Sequence, residues 1–315
     1  MTYKIAVLMD AAPGDARQSA YEVCDALKEA GHEATTYECD MRLAASLRAD
    51  KPQLAFNGAQ GKLGVAMGEL CELLDIPVIG SSSAARMVAG DASELAGALD
   101  GFYDGFDGCA SCVQSVVLDR LLVEHAGAAA VLDAITGKIA SGYPLVVRPA
   151  RGYGQMGVAR VDDEQQLRDA LPAAFAVDER VMICELVEGV RMCVAVLGDA
   201  QDPYALPAVE VVPTASGEAD FFAPVRLESL SHDETMAQAI RSEVERAAVE
   251  ASAVLGCCDY SCVEIVWDGA RAKVMRVDPN PSLGEGSVFL KGCQVAGISR
   301  DALLAELLEQ ANCHG

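Results

Sequence analysis

Lys4–Met9 (KIAVLM) opens the chain as an unbroken apolar run, the pattern of a buried strand. Ala16–Ala30 then changes to helical spacing, with Ala20, Val23, Cys24 and Leu27 on one face and Gly31 placed to stop the helix. Gln53–Phe56 reads as a second strand. It runs through the loop 57–61 into a helix ending near Leu74, then a short strand Pro77–Ile79 that stops at Gly80. Strands alternating with helices predict a small parallel sheet, a first domain of residues 1–88.

The next segment, 89–180, begins Ala-rich and mostly helical to about residue 140, with an irregular Gly/Asp/Cys stretch at 100–112. Tyr143–Arg148 is a strand, Arg151–Gly157 is glycine-rich, Val158–Val161 is a return strand and Asp163–Leu171 is helical. A third unit, 181–315, carries strands at 181–184, 191–198, 205–212, 259–267 and 271–278 and a long helix near 233–255. Its last helix, about Arg300–Gln310, sets Leu303, Leu304, Leu307 and Leu308 on one stripe. These elements predict an α/β protein with a strand-rich C-terminal part.

At 315 residues the chain suits two or three domains, and its 51% hydrophobic content marks it as globular. The net charge of −23 argues against nucleic acid as a partner, since phosphates reward clustered Lys and Arg. A polyphosphate ligand would need Mg²⁺ or arginines placed with care. The first apolar run ends at Asp10, too short for a signal peptide, and no stretch approaches a membrane span; a cytoplasmic location is expected. Twelve cysteines then read as reduced, small apolar fillers. Cys109 and Cys112 have metal-ligand spacing, but no second such pair exists and only four His are present.

Gly152–Gly157 (GYGQMG) is formally GxGxxG, with Gly152, Gly154 and Gly157 as its glycines. In a dinucleotide fold it should open a helix, yet the strand-like Val158–Val161 follows. Two readings stay open: a flap that lays backbone N–H groups over a triphosphate, or an ordinary hairpin with permissive glycines. Arg148, ending the preceding strand, is either a phosphate contact or a surface arginine.

Tyr143–Arg151 (YPLVVRPAR) with the flap resembles the strand, Lys-Pro-Ala and glycine segment of the D-alanine–D-alanine ligases. Four further segments follow in the same order: Ala55–Gly58 through Ile76–Gly80, Cys184–Gly189 through Gly198, Pro207–Val211, and Val277–Pro281 through Ser287. The resemblance implies an ATP-grasp fold with an N-terminal parallel α/β domain, a central flap domain and a C-terminal antiparallel-sheet domain. It implies ATP-dependent joining of a carboxylate to an amine through an acyl phosphate, on a small amino-acid-like substrate, with Mg²⁺. A homodimer would fit the family.

Carried over residue by residue, the resemblance gives an uneven site. The first phosphate-binding lysine is missing from Ala89–Ala92 and the second becomes Arg148. The flap serine becomes Gly154, the ribose-holding acid becomes Arg191, and the oxyanion arginine becomes Cys262. Glu185, Leu186 and Val187 can still serve as the adenine hinge. Asp15 corresponds to a substrate-holding glutamate, Ser282 to a loop glycine, and Ser287 is retained. The metal positions read Glu264, Arg276 and Asp278, enough carboxylate for one ion. A three-residue loop Asp268–Ala270 would pair Trp267 with Arg271 and put Cys262, Glu264, Arg276 and Asp278 on one face, with Arg276 bridged to Glu264. Two functions follow: a working carboxylate–amine ligase, or a catalytically degenerate homologue that binds nucleotide or regulates.

Overall fold

In a computed structural model, residues 2–12, 14–103, 110–125, 135, 137–151, 156–199, 201–211 and 234–311 are described. The opening apolar run is β1 (Lys4–Met9), at the centre of a parallel sheet with β2 (Glu33–Glu38), β3 (Leu54–Asn57) and β4 (Val78–Ile79), in the order β2-β1-β3-β4. β2 (EATTYE) escaped sequence reading because it is an edge strand with mostly polar side chains. Helices α1 (Asp15–Glu29), α2 (Leu43–Asp50) and α3 (Gly61–Leu73) connect the strands, and α4 (Ser83–Ala89) follows β4. One sheet face buries Ala6 and Leu8 against Leu43, Leu47 and Cys71. On the other, Ile5, Val7 and Leu27 pack with Leu303, Leu304, Leu307 and Leu308, so the leucine stripe of the last helix closes the first sheet's core.

The segment 89–140, expected to be mostly helical, holds helix α5 (Ala92–Tyr103) and further helical residues at 120–125, but also two strands that were not expected, β5 (Ala110–Cys112) and β6 (Ser115–Asp119). β6 joins β9 (Arg180–Glu185), β7 (Leu145–Pro149) and β8 (Ala159–Val161) in an antiparallel sheet ordered β6-β9-β7-β8. β7 and β8 are antiparallel neighbours, as a glycine hairpin requires and a dinucleotide-binding turn does not. Asp163 caps the following helix, α6 (Glu164–Phe175), by accepting from Gln166 N at 2.8 Å.

The C-terminal sheet is ordered β11-β10-β13-β14-β5, from β10 (Val190–Gly198), β11 (Tyr204–Ala205), β13 (Asp259–Trp267) and β14 (Ala272–Asp278), with β12 (Val209–Glu210) also on β10. The strand expected at 205–212 is thus two short pieces. β5 adds on parallel to β14, tying the central segment into this sheet. Helix α7 (Glu234–Val254) covers one face, where Val244, Ala248 and Ala251 pack on Val194, Val263, Ile265, Val274 and Val277. Two helices end the chain, α8 (Val288–Val295) and α9 (Arg300–Ala311). No helix among the described residues is long and apolar enough to cross a membrane.

The β13–β14 hairpin differs from its expected register. Its loop has four residues, Asp268–Arg271, and Trp267 pairs with Ala272 instead of Arg271. Asp268 Oδ1 holds the turn by accepting from Ala270 N and Arg271 N, each at 2.8 Å. An even loop alone would have put Glu264 and Arg276 on opposite faces. A bulge at Met275 resets the pairing, so Glu264 lies opposite Arg276 and Cys262 opposite Asp278. The four side chains share one face, as expected, through a bulge in place of an odd loop.

Candidate active site

Alternation along β13 and β14 turns Val263, Ile265, Val274 and Val277 to α7 and leaves Cys262, Glu264, Arg276 and Asp278 on the opposite, partly open face. Asp278 Oδ1 accepts from Asn280 N at 3.0 Å, which orients the carboxylate, and Oδ2 lies 3.4 Å from Arg276 Nη2. Arg276, expected to bridge to Glu264, thus pairs with Asp278 on its own strand. The bulge exposes Arg276 and brings it beside its own-strand neighbour two positions on. With half of Arg276 in solvent, this pair is worth at most about 1 kcal/mol and can yield to a ligand.

Among the described residues, no group of three or more His, Cys, Asp or Glu side chains could hold a metal ion. Glu264 and Asp278 supply two carboxylates, which suits one Mg²⁺ that completes its shell with phosphate oxygens and water. A guanidinium occupies the position of a further ligand, so the donor set does not fit two ions. Cys262 carries no charge to replace an arginine: contact with the Cys193 thiol and burial raise its pKa well above the ordinary thiol value, leaving it neutral.

The central sheet presents Val146, Arg148, Met182 and Cys184 on one face, and Val146, Met182 and Cys184 share an apolar cluster with Val187 and with Met275 of the bulge. Burial pushes the Cys184 thiol up to about 11, and the nearby Arg148 guanidinium works against that rise. Arg148 thus lies on the side of the central sheet that faces β14. Glu185, at the end of β9, is buried and accepts through Oε1 from Gln114 N at 3.0 Å and from Lys273 Nζ at 2.5 Å. Lys273, missed in the sequence, ties β14 to the hinge; plain alternation from Asp278 would set it on the other strand face, and only the bulge at Met275 turns it to the side of Glu264. Leu186 N donates to Pro144 O at 3.4 Å, and Val187 packs in the apolar cluster.

Gly152 and Gly154 lie outside the described residues. Gly157 has φ 72°, and a Cβ there would come within about 3 Å of Ala174 Cα and Pro149 Cγ, so the flap's end needs a glycine. Arg191, on β10, is opposite Val266. Asp15 is the exposed first residue of α1. Ser287 caps α8, its Oγ accepting from Leu290 N at 3.3 Å, and Ser282 Oγ accepts from Gly284 N at 3.2 Å. Gly284 lets this loop reach α1, since a Cβ there would lie 2.9 Å from Ser19 Cβ. Glu285 N donates to Glu22 of the same helix at 2.7 Å. The structure thus gathers Cys262, Glu264, Arg276 and Asp278 on one face, sets Arg148 and Glu185 across from it, and leaves Ser282 and Ser287 on the segment that meets α1 at Ser19 and Glu22, with Asp15 exposed at the start of that helix.

Asn280 fastens the two sides. It is buried, donates through Nδ2 to Asn57 O at 3.0 Å and Ala59 O at 3.4 Å, and accepts from the Tyr260 hydroxyl at 3.0 Å. The end of β14 is thereby held against the loop that starts α3.

A family model described as "D-ala D-ala ligase C-terminus" matches residues 123–309. A D-alanine–D-alanine ligase of Syntrophotalea carbinolica is 28% identical, with 98% of this chain and 96% of the relative covered. One from Halalkalibacterium halodurans is 26% identical with 96% of each covered. Among solved structures, the D-alanine–D-alanine ligase of Bacillus anthracis complexed with ATP superposes with TM-score 0.79 at 21% identity, covering 98% of this chain and 97% of that one. The VanG D-Ala:D-Ser ligase of Enterococcus faecalis gives 0.79 at 18% identity, covering 99% and 100%. At those identities the structural likeness establishes the ATP-grasp fold.

Proposed function

Because the chain belongs to the D-alanine–D-alanine ligase family, we propose that it is an ATP-dependent carboxylate–amine ligase acting on a D-alanine-type amino acid. In the reaction a substrate carboxylate oxygen attacks the γ-phosphorus of ATP and ADP leaves. An amine then attacks the acyl carbon of the resulting acyl phosphate and inorganic phosphate departs. The observation that carries this reading is the shared face of Glu264, Arg276 and Asp278, with Arg148 across from it.

Arg148 and Arg276 would hold phosphate oxygens, bidentately where geometry allows. Glu264 and Asp278 would hold one Mg²⁺, which when bound neutralises charge on the transferred phosphoryl group. Glu185, with its Oε1 fixed by Lys273 and Gln114, would present the hinge to adenine beside Leu186 and Val187. Asp15, Ser282 and Ser287 would lie on the amino-acid side. A cytosolic location and a homodimer belong to the same proposal. The neutral Cys262 thiol, where the family resemblance sets a cation for the tetrahedral oxyanion, favours slow turnover, and at its limit the non-catalytic, nucleotide-binding reading.

Thermal unfolding with ATP, with and without Mg²⁺, tests the proposal first. ATP at 100 times Kd should stabilise the fold by about 2.7 kcal/mol, with Mg²⁺ increasing the shift. Phosphate release with D-alanine, against other amino acids, should then follow. A nucleotide shift without phosphate release selects the non-catalytic, nucleotide-binding reading, and no shift at millimolar ATP contradicts the ligase and leaves a homologue that only regulates.

A further inference from the structure

Arg86 of α4 is only 7% exposed, and its Nη2 has no hydrogen-bond partner among the described residues. The rest of the guanidinium is engaged: Nε donates to Ser81 O at 3.0 Å and Nη1 to Asn57 O at 3.4 Å. The side chain lines a cavity of about 60 Å³ together with Gln60, Gly61, Gly64, Gly90, Arg276 and Asp278. The same cavity receives the N-terminus of α3, a 13-residue helix with no side-chain cap and no acidic residue in its first turn. Free N–H groups and the helix dipole there favour an anion.

Each of the two features points to the same ligand chemistry. A buried cation with an unsatisfied donor is costly until an anion meets it. Two carboxylates already stand nearby. Asp278 is shared with Arg276, and Asp10 sits against the Gln60 N–H at the cap. Tyr260 and Cys71, also close to Arg86, are neutral at physiological pH, burial holding the phenol at about 12 and the thiol at about 11. The volume is that of roughly two water molecules, the scale of one oxyanion head group. Gly90 on the cavity wall lies two residues before Ala92, where a phosphate-binding lysine is missing.

We propose that Arg86 and the N-terminus of α3 form an oxyanion subsite that takes a carboxylate or phosphoryl group of the reactants. It rests on the ligase reading and gives that reaction a cation from a position that the family resemblance did not offer. Arg86 acts here as a binding residue, reaching the ligand from the N-terminal unit while Arg276 reaches it from β14.

Calorimetric titration of the full chain with sodium phosphate and, separately, with D-alanine tests the subsite. The wild type should bind at least one probe, and Arg86→Met should weaken that probe by about tenfold or more, with Arg86→Lys recovering part of the loss. Loss confined to phosphate identifies the phosphoryl group, and loss confined to D-alanine identifies the carboxylate. Wild-type affinity for both probes in Arg86→Met, or no binding of either by the wild type, overturns the proposal. Should Arg86→Met fail to fold by circular dichroism, wild-type crystals soaked in each probe decide. A probe oxygen within hydrogen-bond distance of Arg86 Nη2 supports the subsite, and its absence there overturns it. A normal ATP·Mg²⁺ thermal shift beside failed small-anion titrations rejects the subsite alone, whereas a missing ATP shift rejects the ligase reading.

Discussion

Glu264→Ala and Asp278→Ala each lower phosphate release by about 10²–10³-fold and remove the Mg²⁺-dependent part of ATP's thermal protection. The two carboxylates are the only ones that β13 and β14 turn to this face. A hard divalent cation held by two carboxylates and a phosphate keeps little affinity when one carboxylate goes. Stability should change little in Glu264→Ala, because the side chain is partly open to solvent and sits outside the core clusters. Asp278→Ala also loses the bond to Asn280 N and frees Arg276 from its ion pair. Metal-free ATP binding in that variant should therefore hold or improve, since a carboxylate beside the phosphates has gone. Phosphate release within about threefold of wild type in both variants would move the phosphate site off this hairpin.

The second large effect is on stability. Asp91→Ala destabilises the fold by about 2–4 kcal/mol in urea unfolding. Asp91 is 2% exposed, and its Oδ2 receives both Arg151, at 2.7 Å, and Arg180. Its Oδ1 accepts from Ser93 N at 3.0 Å and Glu94 N at 3.3 Å, which caps the start of α5. The carboxylate thus pins α5 to the ends of β7 and β9. The upper figure for a broken buried pair is discounted because Arg151 is half in solvent and regains hydration. Burial raises the Asp91 pKa, but the Ser93 hydroxyl, the Arg151 and Arg180 guanidiniums and the Glu94 N–H outweigh it and hold the carboxyl below its ordinary value. A carboxyl with a depressed folded-state pKa stabilises above the unfolded value of about 3.9 and loses that contribution as pH falls through its folded value. The gap between wild type and Asp91→Asn should therefore be full at neutral pH and shrink below about pH 4. A gap unchanged at pH 3 would contradict the pairing.

Long apolar strands were legible in the sequence because burial on both faces leaves no ambiguity of period. Lys4–Met9, Arg180–Glu185, Val190–Gly198 and Asp259–Trp267 all fall near their expected bounds. β2 was not, since an edge strand with polar side chains reads as loop. β5 and β6 were hidden for another reason: the three-residue β5 exists only because β14, far along the chain, offers it an edge, and the short β6 is set by the equally distant β9. The common face of Glu264 and Asp278 followed from alternation, yet the bulge behind it did not, because register depends on both strands at once. Arg86 and Lys273 were invisible as site residues. Each belongs to no motif, and what distinguishes them is burial against carbonyls or a carboxylate from other segments. Asp91 read only as the place beside a missing lysine, whereas its network depends on arginines from two separate strand ends.

A crystal structure of the full chain with Mg²⁺ and a non-hydrolysable ATP analogue would probe the β13–β14 face itself. The expected density is a single ion bridging Glu264, Asp278 and the analogue's phosphates, with the Arg276 guanidinium about 2.7–2.9 Å from a phosphate oxygen. Two ions on that face with Arg276 turned away, or the nucleotide seated elsewhere, would contradict it.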